Sequence, residues 1–176
     1  MLKVPIILVI VLFSIITHPH ENSGLTLLHR VAVKGYYNIA EELIQRGANF
    51  RARDRIGATA FHKAAASGNV EILKLLLRNG SDIHADDAAG ATPLHKACWT
   101  NEKEVVTWLL ENGAHVDRKD QKLATPLHYA CVGNHRAVIR ILLEHKANVQ
   151  NRDSRGSTPL LDSCAKGSLD AIEVSS

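Results

Sequence analysis

Four histidines recur at one interval along the chain: His29, His62, His95 and His128. Imidazole is the side chain best suited to proton transfer near neutral pH and is the commonest metal ligand. Such a series therefore raises the question of a metal centre or an acid–base site. The interval argues against both. Each His stands 33 residues from the next, so a constant step gives each to its own structural unit. Ligands of one Zn²⁺ must all lie within about 2.0–2.1 Å of it. The three cysteines keep the same step, at Cys98, Cys131 and Cys164. Equivalent positions on packed helices lie about 8–10 Å apart, whereas a disulfide wants Cα atoms at about 5.5–6 Å. The cysteines are expected to be reduced core residues, standing where Ala65 stands one unit earlier. The chain has no phosphate loop of the Gly-x-x-x-x-Gly-Lys type, no His-Glu-x-x-His pair, no Cys-x-x-Cys and no Gly-x-Ser-x-Gly elbow. The acidic pair Asp86-Asp87 falls where every unit places an Asp, and turn chemistry explains it. No catalytic residue, no metal and no cofactor is expected.

The elements carrying these residues repeat as well. Thr26-Leu27-Leu28-His29 returns as Thr59-Ala60-Phe61-His62, as Thr92-Pro93-Leu94-His95 and as Thr125-Pro126-Leu127-His128. A fifth copy, Thr158-Pro159-Leu160-Leu161, has lost its His. Asp54, Asp87, Asp120 and Asp153 keep the step, as do Gly24, Gly57, Gly90 and Gly156. Asp-x-x-Gly is a turn signal, because Asp bonds the backbone two residues on and Gly accepts a positive φ. Thr before Pro starts a helix. Gly35, Gly68 and Gly167 end that helix in a left-handed residue, and Asn101 and Asn134 replace Gly there. A second helix follows, such as Val70 to Arg78, with Ile72, Leu75 and Leu76 on one face and Glu71, Lys74 and Arg78 on the other. One unit is a turn and two antiparallel helices, too small to bury its apolar face alone.

Several residue types holding one register through four units and most of a fifth resemble the ankyrin repeat family, over roughly residues 20 to 174. The resemblance implies an all-α solenoid of helix-turn-helix units joined by β-turn loops. There would be four full repeats and a truncated fifth, starting near residues 21, 54, 87, 120 and 153. It further implies a non-catalytic module that binds a partner protein through its turn tips and the concave face of its first helices. In this family the recurring His resembles a structural hydrogen-bonding group. Carried over by position, the tips offer Arg53, Arg55, Ile56, Lys119, Lys122, Arg152 and Arg155, and the first helices offer Ser67, Trp99, Thr100 and Val132. Trp99 stands out, because Val33, Ala66 and Val132 hold that position in the other units, and Trp and Arg are enriched in binding hot spots. It could equally cover the groove floor for packing alone. Trp108, beside Leu109, is expected in the core. The tip cations form a discontinuous basic rim suited to an acidic partner, unless they are ordinary solvated turns softened by Asp54, Asp120 and Asp153.

Composition agrees with an interaction module. Of 176 residues, 45% are hydrophobic but only 5% aromatic, so the core must be aliphatic. A formal net charge of +3, from 21 basic and 18 acidic side chains, is too balanced for nucleic acid. A monomer with another protein as partner is expected. Unpaired thiols favour a reducing compartment, hence the cytoplasm. The apolar run from Val4 to Thr17 leaves a membrane-associated or secretory alternative. Residues 1–19 read as a leader or as part of a preceding repeat, and residues 20–176 as the repeat domain. A signal peptide fits the start, but Ser14 is not followed by a second small residue at Ile16. As an anchor the run spans only ~21 Å against a ~30 Å hydrocarbon core. Ile6, Ile10 and Val11 fall 33 before Ile39, Leu43 and Ile44, the register of an earlier outer helix. The fifth unit stops short of its apolar pair, as a piece of a longer protein would. Two alternatives follow: the recruiting segment of a larger ankyrin-containing ligase, kinase or acyltransferase, or a membrane-tethered adaptor.

Overall fold

A computed structural model describes residues 23–165 of the chain. The apolar segment 4–17, Gly167 and the end of the fifth unit lie outside the described residues. Among the described residues all regular structure is helical. The first helices of successive units are α1 (Leu27–Lys34), α3 (Ala60–Ala66), α5 (Pro93–Trp99), α7 (Pro126–Val132) and α9 (Pro159–Ala165). The second helices are α2 (Tyr37–Gln45), α4 (Val70–Arg78), α6 (Lys103–Glu111) and α8 (Arg136–Glu144). First helices pack on one another in one row and second helices in a parallel row.

Each first helix begins at a Thr in extended conformation, with φ between −74° and −97° at Thr26, Thr59, Thr92 and Thr125. The cap N–H would otherwise lack a partner. It donates to Nδ1 of the His three residues on, at 3.2, 3.2, 3.0 and 3.1 Å in the four units. Left-handed residues end the first helices as the spacing requires, at Gly35 (φ 73°), Gly68 (φ 75°), Asn101 (φ 64°) and Asn134 (φ 55°). The second helices end at Gly47, Gly80 and Gly113, all with positive φ, and then at Lys146 (φ 62°).

The core lies between the two rows. Phe61, Leu94 and Leu127 point into it from the first helices, and Leu43, Ile72, Leu76, Leu109 and Leu142 from the second. Full burial of one such side chain contributes about 1.5–3 kcal/mol, and unit-to-unit contact makes that burial possible. Leu73 is buried as well, which widens the apolar face of α4 beyond the expected stripe. Trp108 is only partly buried, packed on the edge of the core. Cys98 and Cys131 are buried and unpaired.

Polar seams join neighbouring units. Since His29 Nδ1 accepts an N–H, its proton sits on Nε2, which donates 3.0 Å to the Ala58 carbonyl of the next unit. His62, His95 and His128 repeat this to Ala91, Ala124 and Ser157 at 3.1, 3.2 and 3.2 Å. At the tips a second ladder runs along the stack. Ala88 N–H donates to the Ile56 carbonyl, Gln121 to Ala89 and Ser154 to Lys122, at 2.9, 3.0 and 2.8 Å.

Candidate functional site

Each tip is built round its Asp. Asp54 Oδ1 accepts the N–H groups of Ile56 and Ala58 at 3.0 and 2.9 Å. Asp87, Asp120 and Asp153 accept the equivalent pairs. Lys63 and Lys96, nine residues after their Asp, close on the second oxygen of Asp54 and Asp87 at 2.7 and 2.5 Å. Burial alone would raise the Asp54 carboxyl. The Lys63 ammonium and the two backbone donors outweigh it and hold the carboxyl below its ordinary range. Asp87 is held down in the same way by Lys96. These carboxylates turn inward and are consumed by the fold, so they do little to soften the tips outwardly.

The fourth unit breaks the Lys column. Tyr129 stands where Lys63 and Lys96 stand, and its phenol donates to Asp120 Oδ2 at 2.9 Å. Burial first, and then the Asp120 bond, pushes the phenol up, so it stays a donor. The ring lies edge-on to His95 at 5.2 Å and to Trp99 at 5.9 Å, a geometry that aromatic quadrupoles favour. Trp99 is 52% exposed despite this support. Its carbonyl accepts Nε2–H of His135, 3.0 Å away. That ring passes so close to Gly133 that a Cβ there would lie 2.2 Å from it. Trp99, Tyr129 and Val132 thus form the wall of a cleft of about 630 Å³ on the first-helix row, which Lys122, Ser154 and Arg155 of the tips also line. Sequence reasoning passed over Tyr129. The signal was its break in the Lys63–Lys96 column.

The other expected contact residues divide by what their side chains do. Arg53 Nη1 donates to the carbonyls of Gly57, at 2.9 Å, and of Asp86. Arg152 Nη1 donates to the Gly156 carbonyl at 2.8 Å. Arg155 pairs with Asp153 and Asp162 at 2.8 and 3.0 Å. Arg152 and Arg155 are therefore tied to their own unit, and Arg53 both to its own and to the next. Arg55 is exposed and its N–H donates to the Ser23 carbonyl at 3.3 Å. Lys119 and Lys122 are exposed, and no carboxylate among the described residues pairs with either. Ile56 is 54% exposed at its tip. Ser67 and Thr100 cap the ends of α3 and α5, and Thr100 Oγ1 bonds the Lys96 carbonyl at 2.9 Å. Residues 99, 122, 132 and 155 meet in the cleft, whereas Arg53, Arg55, Ile56 and Ser67 belong to the second unit, away from it.

Among the described residues no group of three or more His, Cys, Asp or Glu side chains is placed to hold a metal ion. No helix among them is long and apolar enough to cross a membrane.

A family model of ankyrin repeats in three copies matches residues 28–120, and another of ankyrin repeats in many copies matches residues 109–160. No curated protein matches the chain. Proteins of such repeats are generally non-catalytic modules of protein–protein interaction. The three-copy model alone spans more than half of the chain and falls in register with the observed units, and the chain belongs to the ankyrin repeat family.

Proposed function

We propose that this protein is a non-catalytic binding module that grips another protein in the cleft walled by Trp99, Tyr129 and Val132. The observation that carries this reading is Trp99 itself. An indole half open to solvent is costly to leave in water and is stabilising to cover, and here it is braced from below by Tyr129 and anchored through its carbonyl by His135. A large apolar side chain of the partner would cover the exposed part of the indole, on the side away from Tyr129. Lys122 lines the cleft and Lys119 is exposed three residues before it, and neither makes an ion pair among the described residues. Those two cations support an acidic stretch flanking the apolar anchor. Arg53, Arg55, Ile56, Ser67, Thr100, Arg152 and Arg155 extend the same surface, with Arg53, Arg152 and Arg155 serving the fold as well.

The test is to compare proteins retained by the native chain and by Trp99→Ala, then to measure affinity for those lost. Trp99→Ala should weaken a partner by at least about 2 kcal/mol, roughly 30-fold, with the unfolding midpoint little changed. Lys119→Glu with Lys122→Glu should weaken binding and flatten its salt dependence. Undiminished binding by a folded Trp99→Ala protein would remove the cleft from the site.

A further inference from the structure

The stack has an open face at its first unit. Ile39 is only partly buried in α2, whereas Ile72, Val105 and Val138 at its position in later second helices are 1%, 0% and 0% exposed. Leu27 shows the same contrast in α1, since Ala60, Pro93 and Pro126 at its position are buried. A cleft of about 490 Å³ opens along this face, walled by Leu25, Leu27, Val31, Val33, Tyr36 and Ile39. Val33 and Tyr36 are 42% and 55% exposed. Contiguous apolar surface of this kind is stabilising to cover.

The chain itself brings a candidate to this place. The repeat register runs on into the residues that precede Ser23. The Ser23 carbonyl accepts the Arg55 N–H at 3.3 Å, as those of Ile56, Ala89 and Lys122 accept the tip donors of later units. Gly24 takes φ 66°, in the same left-handed region as Gly57 and Gly90. Glu21 and Arg30 keep the nine-residue spacing at which Asp54 meets Lys63 and Asp87 meets Lys96. Each second helix ends eleven residues before such a tip carbonyl, Gln45 before Ile56 and Arg78 before Ala89. The same step back from Ser23 reaches Leu12. Residues 4–12 therefore correspond to α2, with Ile6, Ile10 and Val11 at the positions of Ile39, Leu43 and Ile44.

We propose that residues 4–12, outside the described part of the chain, dock on the open face as an outer helix packed on α2, with Ile6, Ile10 and Val11 turned towards Ile39 and the cleft. A tether of about ten residues presents the segment at an effective concentration on the order of millimolar, well above that of a free protein. A bilayer is the poorer host, since the apolar run would span ~21 Å of a ~30 Å hydrocarbon core. Val9, Leu12 and Phe13 fall at the positions of the exposed Glu42, Gln45 and Arg46. The register thus sorts a uniformly apolar segment into a docking side and an outer side, a division that a bilayer would not make. The proposal does not depend on the Trp99 cleft.

Amide exchange followed by mass spectrometry compares the full chain with two double variants, Ile6→Asp with Ile10→Asp and Val9→Glu with Leu12→Gln. The first pair strikes the docking side, and the second installs the residues found at the outer positions of α2. The expected result is exchange at least tenfold faster in α1 and α2 for the isoleucine pair, with α6 to α8 unchanged, and native protection throughout for the second pair. No acceleration by the isoleucine pair, or equal acceleration by both pairs, would overturn the docking. Protection of α1 and α2 that rises with protein concentration would give the face to a second copy. Flotation of the full chain with phosphatidylcholine vesicles, with exchange in α1 and α2 as fast as in the isoleucine variant, would place the segment in the bilayer. Either of these results would overturn the proposal as well.

Discussion

An imidazole whose Nδ1 already accepts a backbone N–H cannot gain a second proton without turning that N–H against a new one. His62 and His95 are both in this position, and burial holds them down to about 4, against an ordinary 6.5. Between those values the unfolded chain takes up protons that the folded chain refuses. Stability is therefore complete above pH 6.5 and falls as the pH drops towards 4, by up to about 3 kcal/mol for each of these two residues. The depressed carboxyls of Asp54 and Asp87 add a further loss only below the ordinary carboxylate range. Urea midpoints should fall steeply from about pH 7 to about pH 4.5, and a double variant carrying His62→Gln and His95→Gln should start weaker and fall less. Parallel curves would show that the rings are not the source. The sequence made these histidines visible as a series, since their spacing is written in the chain. It did not show their seams, because Nε2 bonds a backbone carbonyl, and a carbonyl has no letter of its own. Trp99 and Tyr129 illustrate the same divide. The Trp broke its column conspicuously, while the Tyr was legible only beside two lysines whose task had not yet been identified.

Where helices and turns end, the chain demands left-handed residues, and in two places it lacks glycine. Leu123 takes φ 58° where Gly57, Gly90 and Gly156 stand, and Lys146 takes φ 62° where Gly47, Gly80 and Gly113 stand. A side chain in this region costs about 1–2 kcal/mol, partly offset by the extra freedom glycine has when unfolded. Both side chains are exposed, so removing them sacrifices little packing. Leu123→Gly and Lys146→Gly should each stabilise the protein by about 1 kcal/mol, read as a higher denaturant midpoint at unchanged slope. The reverse change at Gly57 should be harmful, since a Cβ there would lie 2.5 Å from the Ala88 nitrogen at the tip ladder. Midpoints unmoved by both glycine substitutions would mean that the turns relax without help. Helix boundaries were largely readable for the same reason, as caps and left-handed residues are local chemistry. The burial of Leu73 was not, because it depends on how closely the next second helix approaches.

In the stack as a whole, stability is roughly a sum of unit terms and nearest-neighbour terms. Units two to four have neighbours on both sides. In α9, Leu160 is 38% exposed and Leu161 54%, whereas Leu94 and Leu127 at the position of Leu160 are 1% exposed. Amide exchange should therefore be slowest in α3 to α6 and markedly faster in α9. Protection of α9 equal to that of α4 would reveal a further surface covering it. The seam has one more consequence. Its acceptors at Ala58, Ala91, Ala124 and Ser157 are main-chain oxygens, so these seam bonds do not read which unit follows. Excising residues 87–119 would join Asp86 to Asp120, set His62 against the Ala124 carbonyl and bring Gln121 N–H to that of Ile56. A chain so shortened should still fold cooperatively, though without its indole anchor, while removal of about half as many residues should not give a soluble product. Length in this molecule is thus counted in whole modules, and a change of one 33-residue step keeps the main-chain joints on either side.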